Sequence, residues 1–103
     1  MNKMDEYNVK ISSPAQNDFL EIAERIKMFS PEDGAQQFDN ILSKTGILAT
    51  QPHSCSYARD SQLRLRGYRM LTIDDYIYFF VITGKTVIIR RILYARRQYD
   101  RLM

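Results

Sequence analysis

Sulfur and metal chemistry find little to work with in this chain, which holds one cysteine, Cys55, and one histidine, His53. A single thiol excludes an internal disulfide and suits a reducing compartment. The His53-Ser54-Cys55 pair has no further cysteine or histidine to complete a structural zinc site, so it reads as loop decoration. No Gly-rich phosphate loop, nucleophile elbow or cluster of metal-binding carboxylates is present, and no cofactor is expected. There is also no apolar run of about 18 residues and no basic-then-apolar leader, which predicts a cytoplasmic protein with no membrane partner. Repeats and low-complexity tracts are missing too. At 103 residues the chain has room for one core. The expectation is a single domain over 1–103, with 1–6 as a flexible tail.

What is present is hydrophobic matter, 45% of the chain with 12% aromatic, enough to build that core. The net charge of +3 conceals an asymmetry. Residues 1–51 carry five Lys/Arg against eight Asp/Glu, whereas residues 52–103 carry ten against four, nine of the ten being arginine. A planar guanidinium forms bidentate bonds to phosphate or carboxylate and keeps its charge when half-buried. The second half therefore points to an acidic or polyanionic partner. The plainer alternative is that these arginines only keep a small domain soluble.

Along the chain, Tyr7 to Ser12 alternates apolar and polar residues, which predicts a strand with one buried face. Ser13-Pro14-Ala15-Gln16 reads as a helix start, with Ser13 capping and Gln16 capping reciprocally. Ala15, Phe19, Ile22, Ala23 and Ile26 then follow as an apolar stripe. Ser30-Pro31-Glu32-Asp33 repeats the signal, and Ala35, Phe38, Ile41, Leu42, Thr45, Leu48 and Ala49 carry a second helix to Pro52. His53 to Gly67 lacks periodicity and reads as a loop or poorly formed edge. Tyr68–Ile73, Tyr76–Ile82 and Thr86–Leu93 are β-branched and aromatic runs, split by Asp74-Asp75 and Thr83-Gly84-Lys85 as turns. They are nearly apolar on both faces, as central strands are. The predicted fold class is α+β, β-α-α-β-β-β, an antiparallel-rich sheet packed on a two-helix hairpin. Tyr94 to Met103 is left as either a short helix or a strap over the sheet edge.

Several stretches in this order carry a family resemblance. They are Gly67-Tyr68-Arg69, Asp75-Tyr76-Ile77 leading into Phe80, and Ile89-Arg90-Arg91-Ile92-Leu93-Tyr94-Ala95-Arg96-Arg97. The opening Val9, Ile11, Ser12, Pro14, Ala15, Asp18 and Phe19 joins them. Over roughly residues 7–101 the chain resembles the RelE/ParE superfamily of toxins from type II toxin–antitoxin systems. Ala95 stands where the family has glycine, and Gln98 where an acid is usual. The resemblance implies a cognate antitoxin whose acidic, amphipathic segment wraps the toxin.

It also implies candidate chemistry. In metal-free RNA cleavage the 2′-hydroxyl loses a proton while the phosphate gathers negative charge, and arginines can stabilise that charge. Arg69 and Arg91 would hold the phosphate, Tyr94 would move the proton, and Arg97 would hold RNA. Strict strand alternation sends Arg91 and Tyr94 to opposite faces unless the strand ends or bulges. Plainer roles are packing or antitoxin contact for Tyr94, and pairing with Asp74, Asp75 or Asp100 for Arg90 and Arg91. Arg64, Arg66, Arg90, Arg96 and Tyr99 are candidate RNA or antitoxin contacts. Tyr57 and Arg59 interleave with Arg64 and Arg66 in a manner that suits RNA.

Three functions follow. The first is a RelE-like endoribonuclease that cuts messenger RNA on the ribosome and arrests growth. The second is a ParE-like inhibitor of DNA gyrase with no chemistry of its own. The third is a small basic RNA-binding module without toxicity. All three expect the arginines of the second half to share one positive hollow on the sheet.

Overall fold

The computed structural model describes residues 6–29, 40, 41 and 43–95. Strand β1 (Asn8–Ile11) leads directly into helix α1 (Ser13–Phe29). The cap is Ser12 rather than Ser13. Its hydroxyl accepts from the Ala15 N–H at 3.3 Å and donates to the Arg90 carbonyl at 3.0 Å. Gln16 reaches back, but its amide donates to the Ile11 carbonyl instead of closing a reciprocal cap. One serine thus joins the helix start to the last strand, a tie that Ser13 could not make.

Of the predicted second helix, residues 40, 41 and 43–45 are helical; its cap at 30–33, Ala35, Phe38 and Leu42 lie outside the described residues. Gly46 interrupts the run with three-residue bonds, Gly46 N–H to Ser43 and Ala49 N–H to Gly46. A short helix α2 (Ile47–Thr50) and a 3-10 turn (Pro52–Ser54) follow. Ile41 and Leu48 of the predicted stripe are buried.

The segment 53–67, expected to be a loop or poorly formed edge, has one bridge at the sheet edge, Tyr57 to Arg69, and is corrected in one respect. It contains a five-residue helix, α3 (Ser61–Leu65), because Asp60 accepts from the Gln62 and Leu63 N–H groups at 2.9 and 3.0 Å. Gly67 ends it at φ 84°, the left-handed conformation that glycine adopts without steric cost.

Strands β2 (Arg69–Ile73), β3 (Tyr76–Thr83) and β4 (Thr86–Tyr94) form an antiparallel meander, and β1 pairs parallel with β4. The sheet order is β1-β4-β3-β2. Asp74 at φ 54° and Gly84 at φ 59° make the two hairpin turns. The Asn40 amide donates to both Asp74 carboxylate oxygens and ties the first turn to the helix.

Alternation along β3 explains why the strands read as apolar on both faces. Tyr78 and Phe80 join Ala15, Ile22, Ile26 and Leu48 in one cluster. Ile77 and Phe79 join Ala58, Leu63 and Leu93 in a second. Helix α1 covers the first face, and the segment carrying α3 covers the second. This is the α+β architecture anticipated from the sequence, with one additional helical cover. Among the described residues no helix is long and apolar enough to cross a membrane.

Candidate functional site

A register shift between Phe79 and Phe80 makes Arg90 the extra residue of a β-bulge. Phe80 faces Ile89 and Phe79 faces Arg91. Beside this bulge β1 has ended, for its pairing with β4 stops at Ile11–Ile89. The outer edge of β4 beyond Ile89 therefore needs other partners. Helix α1 supplies them. The Asp18 carboxylate accepts from the Ile92 backbone N–H at 2.9 Å, from Arg91 Nε at 2.7 Å and from Arg91 Nη2 at 3.1 Å. The Asp18 side chain is 13% exposed and that of Arg91 26%. The bidentate bonds from Asp18 raise the Arg91 pKa above its ordinary value; partial burial opposes this, and the charges of Asp18 and Glu21 add to it.

This edge opens into a cleft of about 270 Å³ lined by Asp18, Glu21, Ile22, Arg25, Tyr76, Arg91, Ile92, Leu93 and Tyr94. Asp18, Glu21, Ile22 and Arg25 recur at helical spacing and form one wall. Tyr76 and Tyr94 face each other across β3 and β4, their ring centroids 5.6 Å apart. The cleft thus mixes two carboxylates, two guanidiniums and two phenols. Its net charge is balanced.

A second concave surface is apolar, about 370 Å³, bounded by Val9, Ile11, Phe19, Ile41, Thr45, Gly46, Tyr78, Ile89 and Ile92. Val9 and Ile11 on the edge strand are exposed at 38% and 42%. Tyr78 is 2% exposed, and its hydroxyl is buried with no hydrogen-bond partner. Burial, followed by the nearby Asp74 and Tyr76, pushes its pKa up to about 12. A phenol held so firmly in its protonated form is no base at neutral pH.

The third feature is the elbow formed by 56–70. Ser56 and Ala58 exchange backbone hydrogen bonds with Met70 and Tyr68, so Tyr57 bridges to Arg69 at the β2 edge. Arg69 donates to the His53 and Cys55 carbonyls at 3.2 and 2.7 Å, and its guanidinium lies 4.0 Å from the Tyr57 ring centre. Burial pushes the Cys55 thiol pKa up, against the opposing influence of Arg69 and Ser54. It is a packed thiol, not a nucleophile.

The predicted site residues therefore separate. Arg91 and Tyr94 do line one cleft. The register still places them in alternate positions, and they meet because the long Arg91 side chain turns to Asp18 at the open edge. Arg69 does not join them. It pairs with Phe80, whereas Arg91 pairs with Phe79, and those two phenylalanines belong to opposite faces. Arg64 bonds the Ala58 and Arg59 carbonyls in the elbow; Arg66 is exposed there, and Arg90 is exposed on the bulge. Arg96, Arg97 and Tyr99 lie outside the described residues.

The single positive hollow is corrected accordingly. Among the described residues the arginines of the second half divide between the cleft, the bulge and the elbow. Arg91 pairs with Asp18, and the expected partner Asp100 lies outside the described residues. Asp18 was visible in the sequence only as part of the opening resemblance. Nothing local signals a contact between positions 73 residues apart. Among the described residues no group of three His, Cys, Asp or Glu gathers that could hold a metal.

Comparisons with known proteins agree with this architecture. The solved structures similar in fold include a chromosomal ParDE toxin–antitoxin system from P. aeruginosa, with TM-score 0.72 and 19% identity over 89% of this chain and 99% of that one. The RelBE2 toxin–antitoxin complex from Mycobacterium tuberculosis superposes with TM-score 0.60 and 20% identity, over 91% and 97% of the two chains. YafQ from E. coli gives TM-score 0.55 and 16% identity, over 95% and 100%. A comparison with individually curated proteins finds no match. The family model for the ParE toxin of the parDE type II toxin–antitoxin system matches residues 9–99. The chain belongs to the ParE toxin family, within the RelE/ParE superfamily of type II toxin–antitoxin toxins.

Proposed function

We propose that this toxin arrests growth by binding DNA gyrase, without chemistry of its own, and that a cognate antitoxin neutralises it. The observation that carries this reading is the commitment to the fold of the three candidate catalytic groups among the described residues. Arg91 is held by Asp18, Arg69 by two loop carbonyls and the Tyr57 ring, and Tyr94 packs with Tyr76. Phosphoryl chemistry needs cations aimed at developing negative charge. In this cleft Asp18 and Glu21 would oppose an incoming phosphate. Membership of the ParE family supports the same choice.

For the antitoxin, the apolar groove beside β1 and the exposed Val9 and Ile11 suit the apolar face of an amphipathic segment. Supercoiling by purified gyrase tests the target. Added toxin is expected to inhibit it in a dose-dependent way, and antitoxin to reverse the inhibition; normal supercoiling at large toxin excess would overturn the reading.

A second reading, the RelE-like endoribonuclease, is favoured by one observation: Arg91, Tyr94 and Arg25 line the same cleft. Its signature would be new messenger RNA ends in a translating extract, with gyrase unaffected.

A further inference from the structure

The elbow at 56–70 takes no part in the cleft; it covers the second core cluster and holds an exposed aromatic ring beside several arginines. We infer that it binds single-stranded nucleic acid, with Tyr57, held by Arg69, as a stacking platform and the exposed Arg59 and Arg66 of the same elbow for phosphates.

Tyr57 is 49% exposed although it sits in a bridge at the sheet edge. Arg69 stacks at 4.0 Å from its centre and is pinned by the His53 and Cys55 carbonyls, so the ring is held from one side and open elsewhere. A large exposed aromatic that is held in place offers a base a flat surface at little entropic cost.

The charge around it is uncompensated. The one acidic residue between positions 40 and 73 is Asp60, whose carboxylate accepts the first N–H groups of α3. Arg59 and Arg66 are exposed with no acidic partner among the described residues, and Arg64 is fixed to the Ala58 and Arg59 carbonyls. Arginines interleaved with an aromatic platform suit a flexible strand of alternating phosphates and bases. A purely acidic peptide such as polyglutamate would use the charges but not the ring. A duplex hides its base faces. Single-stranded DNA and single-stranded RNA share the required chemistry.

The inference goes beyond the gyrase reading and fails separately from it, because binding is measured without gyrase. Fluorescence anisotropy of labelled oligothymidylate and oligouridylate on the full chain is the test, repeated across salt concentrations. On single strands the logarithmic salt dependence steepens by roughly 0.7 per phosphate engaged. The Arg59→Gln/Arg66→Gln double variant, which spares the bonded Arg64, should therefore lose about 1.4 from the slope. Tyr57→Leu should weaken binding by about tenfold while Tyr57→Phe retains it. The charge-matched control Lys27→Gln/Lys44→Gln, on exposed helical positions, should retain the slope. Each variant is compared at an unchanged melting temperature. A preference for one sugar over the other identifies the source of the strand and supports the inference either way. Equal affinity for duplex, displacement by polyglutamate at equal charge, or indifference to Tyr57→Leu would each overturn it.

Discussion

Two oxygens of Asp18 accept from the Arg91 guanidinium and from the Ile92 N–H, so removing them takes a bidentate carboxylate from the cation and strands a backbone donor. Both side chains are mostly buried, and breaking such a pair from one side costs more than the pair contributes. Asp18→Ala should therefore destabilise the fold by about 2–3 kcal/mol, and Asp18→Asn by less, because an amide oxygen still accepts. Urea unfolding measures both; a loss under about 0.5 kcal/mol for the alanine variant would show the pair to be idle. Tyr78 behaves in the opposite sense. Its buried hydroxyl has no partner, so Tyr78→Phe should stabilise by about 1 kcal/mol, and a clear destabilisation would contradict that. Its phenol pKa lies near 12 in the folded chain against the ordinary 10.0. Between those values the unfolded chain binds fewer protons than the folded one. This contribution to stability is thus complete below pH 10 and fades as the pH rises towards 12. Tyr78→Phe should flatten that alkaline limb in a pH series of unfolding curves.

The three C-terminal strands and α1 were legible in the sequence because each carries a run long enough to show its period. What was missed is short or distant. Helix α3 offers one buried residue, Leu63, too few for any periodicity, although Asp60 as cap and Gly67 as terminator were readable signals. The cap at Ser12 was displaced by one position because its deciding partner, the Arg90 carbonyl, is 78 residues away. The bulge at Arg90 arises from pairing with β3 and has no signature within β4. Asp60→Ala should cost about 1 kcal/mol and remove hydrogen-exchange protection at Gln62 and Leu63. Leu63→Ala should cost about 3 kcal/mol, since it empties the cover over Ile77, Phe79 and Leu93. Thermal melts rank the two. If Leu63→Ala proves the milder change, α3 is a surface ornament and not a lid on the second cluster.

Across the whole molecule, the acidic first half and the basic second half are partners before they are binding surfaces. Asp18 and Glu21 from α1 meet Arg91 in the cleft, so part of the charge asymmetry is used in closing the fold. Among the described residues, four of the second-half arginines lie in the elbow, and an apolar groove lies beside β1. Such a molecule is equipped to hold partners. Two of the candidate catalytic residues, Arg91 and Tyr94, line one cleft. Their internal engagement was not readable, because it depends on which helix reaches the open strand edge. An antitoxin drawn by charge should associate more slowly as salt rises, with dissociation changing less, as stopped-flow mixing would show.

Plasmid topology in cells induced to express the chain without its antitoxin tests gyrase binding most directly. Negative supercoiling should be lost at the onset of growth arrest. Arrest with fully supercoiled plasmid would contradict it.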